Sequence, residues 1–392
     1  MQEYALSFAI FGALIVLAIP LHSALKIPIT VAEILLGIFA AYIGVVDSTQ
    51  THISTMANVG LLFLMFLCGM EVDLKSSLFL GRRFLYQALW YFVILYVLCV
   101  LIVIAFDLPF IFVAILPVMS LGMIMALIRD YGKNRTWLNL TLKIGIIGEL
   151  ISIVVLITLE GIYHYGFSID LLESLLILCG FLIAIVCIFK VANVLFWWFP
   201  NLKLLLLPHD DTNSKDIRFV FMLFIVFIAI TSLLHLEPVL GAFIAGVIIT
   251  TYFKYKHTLP KKLDDIGFGF FVPFFFVYVG TTIDLSQVFI NPEILLYALY
   301  LIIAMFLVRL ISSVIVFLKH FKSMKNTLLF ALSNSMPLTF LVITASIGQK
   351  FGVLSDMAYI SCIFGAIFEG IFFSIAIKLI YIFWRTKRES NE

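Results

Sequence analysis

A carboxylate in the middle of an apolar stretch is the residue of this sequence that is best placed to do chemistry. Glu149 lies in the segment Gly145-Ile-Ile-Gly-Glu-Leu-Ile-Ser-Ile153, with no other charge for several positions on either side. A buried carboxyl group is expensive in an apolar helix, so it is a functional candidate by default. It can hold a proton or a desolvated cation but not both, and that competition is the minimum requirement for exchanging one for the other. The alternative is a structural buried ion pair.

Two further charges stand inside apolar segments, Arg309 and Glu369. Arginine does not deprotonate in proteins, so Arg309 is no proton carrier and must either be paired with an acid or face opposed helix ends. Two pairings are open. Either Glu369 pairs with Arg309 and leaves Glu149 to exchange, or Arg309 pairs with Glu149 until a cation displaces it. For Glu369 we favour a structural counter-ion role over a transport role.

Prolines interrupt two of the apolar segments, at Pro117 and Pro337. Proline removes a backbone donor and breaks the helix, and the carbonyls and half-helix ends exposed in this way can ligate ions or balance charge. Oxygen-bearing side chains near the two prolines are candidate additional ligands: Ser120, Ser333, Asn334, Ser335 and Thr339. No phosphate-binding loop, catalytic triad or metal motif accompanies them. We therefore predict no enzymatic activity, no cofactor and no metal other than a transported cation.

The elements that must position these residues are membrane helices. The 392 residues are 63% hydrophobic and 12% charged, with a mean hydropathy of +1.17, whereas a soluble chain is about half apolar and a quarter charged. Runs of about 20 apolar residues predict about thirteen transmembrane helices in a lipid bilayer. Apart from Lys350, the loop lysines and arginines fall on one side, which predicts an external N-terminus and a cytoplasmic C-terminus. They form no basic stripe, which argues against nucleic-acid binding.

An internal repeat relates the two halves of the chain. Pro117 and Pro337 are separated by the same 220 residues as Glu149 and Glu369, and Gly69-Met-Glu-Val-Asp-Leu74 matches Gly280-Thr-Thr-Ile-Asp-Leu285. The sequence thus predicts a single all-α polytopic domain, 1–392. It comprises a first six-helix repeat (1–160), a linker helix with a cytoplasmic loop (161–216) and an inverted second repeat (217–385). Inverted repeats are typical of secondary transporters whose ion site lies at the bilayer midplane.

The chain resembles the monovalent cation:proton antiporter-2 family over nearly its whole length. Three segments carry the resemblance: residues 60–74, ending Cys-Gly-Met-Glu-Val-Asp-Leu; Pro238-Val-Leu-Gly-Ala-Phe-Ile-Ala-Gly246; and residues 267–285, beginning Gly-Phe-Gly-Phe-Phe-Val-Pro. The resemblance implies a homodimer that works as an elevator, with crossed broken helices in its core. It also places Glu149 at the family's ion-binding aspartate and Arg309 where members carry a lysine or arginine.

Departures from the family pattern bear on ion and stoichiometry. Members that move net charge have two adjacent acids where this chain has Gly148-Glu149, so we predict an electroneutral one-for-one exchange. The chain also lacks the nucleotide-binding domain of the potassium-efflux members, which leaves room for a separate regulatory subunit. Our leading hypothesis is a Na⁺ or K⁺/H⁺ antiporter of a bacterial inner membrane. The alternatives are a cation channel and a Na⁺-coupled organic-solute symporter.

Overall fold

The computed structural model describes residues 2–25, 27–46, 51–71, 82–132, 135–165, scattered positions between 173 and 198, 214–234, 236, 238–253, 258–283 and 285–389. All regular structure within these ranges is helical, and they contain no β-strand. The all-α prediction is therefore confirmed. Most of the predicted linker, 161–216, lies outside the described residues.

The first half of the chain contributes seven helices to the described part. They are α1 (Gln2–Leu25), α2 (Ile29–Tyr42), α3 (Thr51–Glu71), α4 (Arg82–Ala105), α5 (Phe112–Ile115), α6 (Leu121–Tyr131) and α7 (Thr136–Tyr165). The second half contributes α8 (Lys215–Leu233), α9 (Pro238–Tyr252), α10 (Leu259–Ile266), a π-helix (Gly267–Phe271), α11 (Val272–Thr281), α12 (Leu285–Ile290), α13 (Glu293–Phe321), α14 (Met324–Asn334), α15 (Leu338–Lys350) and α16 (Asp356–Glu389).

Length and hydropathy identify the membrane-spanning elements. Within the described ranges, 8 segments are long and apolar enough to cross a bilayer, and shorter apolar helices occur at Ile29–Tyr42, Pro238–Tyr252 and Phe340–Gln349. The protein is thus a multi-pass membrane protein, as its composition predicts. The count of about thirteen helices and the inverted relation of the repeats stay predictions.

The chain divides into two compact units. One comprises residues 1–15, 46–79 and 157–279. Its α3 and α9 pack closely because glycines remove side chains at the contact: Gly69 lies against the backbone of Phe243, and Gly246 lies against that of Phe66. The Phe63 ring has four aromatic neighbours at centroid distances of 5.2–5.7 Å, which are Phe66, Phe221, Phe224 and Phe271.

The other unit comprises residues 16–45, 80–156 and 280–392, and it contains every predicted site residue. Its long helix α13 packs against α4, α14 and α16, and α15 packs against α16. The interrupted segments α5–α6 and α14–α15 lie in contact with each other, since α5 touches α15 and α6 touches both α14 and α15. This unit therefore brings both proline-containing breaks into one core.

Candidate ion-binding site

Two helix breaks form the framework of the site. Helix α5 ends at Ile115 and α6 begins at Leu121, while α14 ends at Asn334 and α15 begins at Leu338. Pro117 and Pro337 occupy the two gaps and are buried. A proline has no backbone N–H to continue a helix, so each break leaves amides and carbonyls without their helical partners. Both helices are therefore interrupted at the positions of the two prolines.

Glu149 lies at the first break. Its side chain is fully buried, and its Oε2 accepts a hydrogen bond of 3.1 Å from the backbone N–H of Leu121. Leu121 is the first residue of α6, where the unpaired amides of a helix N-terminus favour negative charge. The structure therefore places the carboxyl group at an electropositive helix end inside an apolar core.

Ser152, which the sequence analysis did not select, also binds this break. Its hydroxyl accepts a hydrogen bond of 3.1 Å from the N–H of Met119 and donates one of 2.8 Å to the carbonyl of Gly148. The signal available in the sequence was a hydroxyl residue three positions after Glu149 in an otherwise apolar run. Together, Glu149 and Ser152 hold two amides of one break from a single helix, α7.

Gly148 fits closely against the same break. A Cβ atom at this position would collide with the side chain of Met119, the residue that directly precedes Ser120 in the gap. The absence of a side chain at Gly148 thus lets α7 approach the break at the level of Glu149. This gives a steric reason for glycine at the position directly before Glu149.

Arg309 binds the opposite side of the first break. The guanidinium is fully buried and donates from Nη1 to the carbonyls of Leu116 at 2.8 Å and Met305 at 2.9 Å, and from Nη2 to the carbonyl of Val118. The carbonyls of Leu116 and Val118 belong to the interrupted segment, so the arginine supplies donors that the helix no longer does. Its charge complements their partial negative charge.

Glu369 is the acid with which Arg309 interacts electrostatically. Its side chain is fully buried, and neither carboxyl oxygen has a hydrogen-bond donor within the described part of the chain. No hydrogen bond or ion pair joins Arg309 to Glu369 there. The two charges are thus close enough to interact but are not in direct contact.

The remaining predicted residues lie at or beside the second break. The Ser333 hydroxyl is 2.8 Å from that of Thr141, Asn334 Nδ2 donates to the Phe330 carbonyl at 3.1 Å, and the Ser335 hydroxyl donates to the Ala331 carbonyl at 2.8 Å. Within the described ranges, Asn334 Oδ1 and the hydroxyl of Ser120 have no hydrogen-bond partner. The side chain of Thr339 lies outside the described residues.

The chemistry of this donor set suits a hard cation. The buried polar atoms are carboxyl, amide and hydroxyl oxygens, whereas softer transition metals prefer imidazole and thiolate ligands. Across the described ranges, no group of three or more His, Cys, Asp and Glu side chains is placed to hold a metal ion. The arrangement therefore combines a buried carboxyl group at a helix N-terminus with an arginine at backbone carbonyls.

A multi-pass helical protein whose interrupted helices meet beside a buried carboxyl group has the architecture of secondary transporters. A family model described as "Sodium/hydrogen exchanger, transmembrane" matches residues 10–382. The chain belongs to this family. Its membership confirms the resemblance to cation:proton antiporters that the sequence motifs indicate.

Individual relatives and a solved structure agree with this assignment. YjbQ of Bacillus subtilis, which is named for Na⁺/H⁺ antiport, is 26% identical over 381 residues, covering 91% of this chain and 59% of YjbQ. The chain therefore spans less than two thirds of that relative. Na⁺/H⁺ antiporter 3 of Methanocaldococcus jannaschii is 27% identical over 414 residues, with 100% of both chains covered. The sodium/proton antiporter MjNhaP1 from the same organism shares the fold, with a TM-score of 0.62, 18% identity and 96% of both chains covered.

Proposed function

We propose that this protein exchanges a monovalent cation, Na⁺ or K⁺, for protons across a membrane, with Glu149 as the group that binds each in turn. The observation that carries the proposal is the position of Glu149. Its carboxyl is buried and accepts the N–H of the first residue of α6, at the same break whose Leu116 and Val118 carbonyls Arg309 binds. A group in this position takes up a proton or a cation from one side of the membrane. It releases the ion to the other side when the core moves and exposes the site there.

The supporting groups have separate tasks in this proposal. Arg309 and Glu369 form the charge network that stabilises the first break, with Arg309 neutralising the carbonyls of Leu116 and Val118. Oxygens at the breaks, from Ser120, Ser333, Asn334, Ser335 and Thr339, replace part of the hydration shell of the cation. Pro117 and Pro337 keep both helices interrupted. With Glu149 as the sole exchanging carboxyl, the exchange is one for one and electroneutral.

The finer architecture of the transporter is part of the same proposal. Each protomer has thirteen helices in two inverted repeats, and two protomers form a homodimer. In each protomer, a core moves as an elevator relative to a fixed dimerisation domain. The N-terminus lies outside and the C-terminus in the cytoplasm, in accordance with the side on which the loop lysines and arginines fall. Names of relatives that include Na⁺/H⁺ antiport support the exchange itself.

Ion exchange in reconstituted liposomes tests the proposal. The purified protein is placed in vesicles that enclose a pH dye, a proton gradient is imposed, and Na⁺, K⁺ or Li⁺ is added separately with choline as the control. We expect one or more of the three cations to collapse the gradient while choline does not. A cation conductance with no proton movement would replace the exchanger with a channel. A response that requires an added organic solute would replace it with a symporter.

A further inference from the structure

Glu369 lies in an environment that does not suit a permanently charged counter-ion. The carboxyl group is fully buried, and both of its oxygens are without a hydrogen-bond donor in the described part of the chain. A buried carboxylate needs hydrogen bonds or a contacting cation, and without them it takes up a proton instead. This arrangement indicates that Glu369 is protonated in the conformation described.

Arg309 donates its hydrogen bonds to backbone carbonyls and not to Glu369. A guanidinium has five N–H donors, and three hydrogen bonds bind Arg309 to the carbonyls of Leu116, Met305 and Val118. Its buried Nε makes no hydrogen bond within the described residues. The arginine therefore has donor capacity that a carboxylate at Glu369 would use, and it lies near enough to attract that carboxylate electrostatically.

The surroundings of Glu369 contain few other charges that act on it. Helix α16 packs against α2, α13, α14 and α15. Of the charged groups on those helices, Arg309 on α13 is the one whose interaction with Glu369 the structure gives, and Glu33 on α2 has no such interaction. Cys362, two turns earlier on α16, also faces the carboxyl group. Protonation of Glu369 is therefore coupled chiefly to the position of Arg309.

The location of Glu369 connects it to both breaks. Its neighbour Gly370 lies beside Leu338, the first residue of α15, and Met123 in the first turn of α6. Glu369 also occupies the position in the second repeat that Glu149 occupies in the first, 220 residues earlier. The sequence repeat thus pairs Glu369 with Glu149, and Arg309 interacts with the first of these carboxyl groups and binds the break at which the second lies.

We propose that Glu369 is a second proton-binding site of the exchanger, which releases its proton when a cation binds at Glu149. This inference rests on the exchange at Glu149 in the proposed function. It replaces the counter-ion role that the sequence favours for Glu369, and it replaces the one-for-one stoichiometry with two protons for each cation. In the proton-loaded state both carboxyl groups are neutral, and Arg309 is balanced by the carbonyls of the first break. Cation binding converts Glu149 to a carboxylate that holds the cation and Glu369 to a carboxylate beside Arg309. One cation enters the site and two protons leave it, so the net charge of the site falls by one. Each cycle therefore moves net charge across the membrane.

Counting the protons that cation binding releases tests this assignment without requiring turnover. Detergent-solubilised protein in weakly buffered solution is titrated with NaCl or KCl, with choline chloride as the control, and a pH dye measures the protons released per protein at saturation. We expect about two protons from the wild type and about one from Glu369→Gln. Glu33→Gln, which neutralises another buried carboxyl of the same unit, serves as the matched control and keeps the wild-type count. Equal release from the wild type and Glu369→Gln would overturn the assignment.

The outcomes separate this inference from the function on which it rests. If no cation releases protons from the wild type, the exchange proposal fails together with it, whereas equal counts with and without Glu369 remove only the second site. If Glu369→Gln does not fold, Glu369→Asp retains a carboxyl group for infrared spectroscopy. Cation-induced difference spectra of the wild type and of Glu369→Asp should each show loss of two protonated-carboxyl bands. One of the two bands should lie at a different frequency in Glu369→Asp from that in the wild type. Loss of a single band that does not shift would contradict the inference.

Discussion

The Nη1 atom of Arg309 donates a 2.8 Å hydrogen bond to the carbonyl of Leu116, which joins residues that are 193 positions apart in the sequence. Leu116 directly follows the last residue of α5, so this bond and its companion to Val118 attach the interrupted segment to the long helix α13. The arginine thus acts on backbone dipoles and on Glu369 simultaneously. Structure and charge balance at the break depend on one side chain.

Removing this side chain should destabilise the core of its unit. Arg309→Ala leaves the carbonyls of Leu116 and Val118 buried without donors, and loss of one partner from a buried charge network costs roughly 3–5 kcal/mol. Arg309→Lys retains the charge but cannot donate to as many carbonyls, so its stability should lie between that of the wild type and that of Arg309→Ala. Thermal unfolding in detergent measures the difference. Leu307→Ala, at a half-exposed position on the same helix, is the control. An Arg309→Ala protein with the same melting temperature as Leu307→Ala would contradict the prediction.

Replacing the proposed exchanging carboxyl should abolish coupled transport while preserving the fold. Glu149→Gln keeps the size of the side chain and an oxygen to accept the Leu121 N–H, but it can neither release a proton nor balance a cation. We expect loss of cation-driven proton movement in liposomes and an unchanged gel-filtration profile. Glu149→Asp should retain exchange at a lower rate. Glu33→Gln is the matched control for a buried carboxyl, and wild-type exchange by Glu149→Gln would remove Glu149 from the site.

The Ser152 hydroxyl should contribute to cation binding through the geometry of the break. Ser152→Ala leaves the Met119 N–H without its acceptor, which costs about 1–3 kcal/mol for a buried group. Met119 directly precedes Ser120, which is a proposed ligand of the cation. We therefore expect Ser152→Ala to have a higher apparent KM for the cation together with a lower melting temperature. Ser361→Ala removes a hydroxyl whose bond is to the carbonyl of Met357 in its own helix. If both variants have the same KM, Ser152 has no part in positioning the break.

The close fit between Gly148 and Met119 gives a prediction that can be tested by compensation. In Gly148→Ala the new methyl group meets the Met119 side chain, so it should displace the break and reduce the exchange rate. Shortening the partner in Gly148→Ala with Met119→Ala should restore part of that rate, because residues in contact are energetically coupled. Gly12→Ala, which has nothing near its Cβ position, controls for the change in helix propensity. Purely additive losses in the double variant would contradict this steric account.

The sequence predicted the residues of the site better than it predicted their partners. Breaks at Pro117 and Pro337 follow from the chemistry of proline, and the burial of Glu149 follows from its apolar surroundings. For Arg309, the sequence left acid partners and opposed helix ends as alternatives, and the structure gives it three backbone carbonyls. The carbonyls of Leu116 and Val118 cannot be identified as acceptors from the sequence, because they come close to Arg309 only through the packing of a distant interrupted segment.

Ser152 was missed for a related physical reason. A serine within a membrane helix ordinarily bonds to the carbonyl one turn earlier, and the bond from Ser152 to Gly148 is of this kind. Nothing in the residue types shows that the same hydroxyl also accepts an N–H from another segment. Such contacts depend on how helices pack in three dimensions, as does the separation between Glu369 and Arg309.

Competition between protons and cations should give the exchanger a defined pH dependence. Because Glu149 cannot hold both, protons raise the apparent KM for the cation. A single competing proton raises it by up to about tenfold for each unit by which the pH falls on the acid side, and release of a second proton from Glu369 increases this limit to about a hundredfold. On the alkaline side the KM should become constant, since the carboxyl group is already deprotonated. Initial rates in liposomes at several cation concentrations and pH values measure this relation. A KM that does not change with pH, with only the maximal rate varying, would show that cation and proton bind at separate groups.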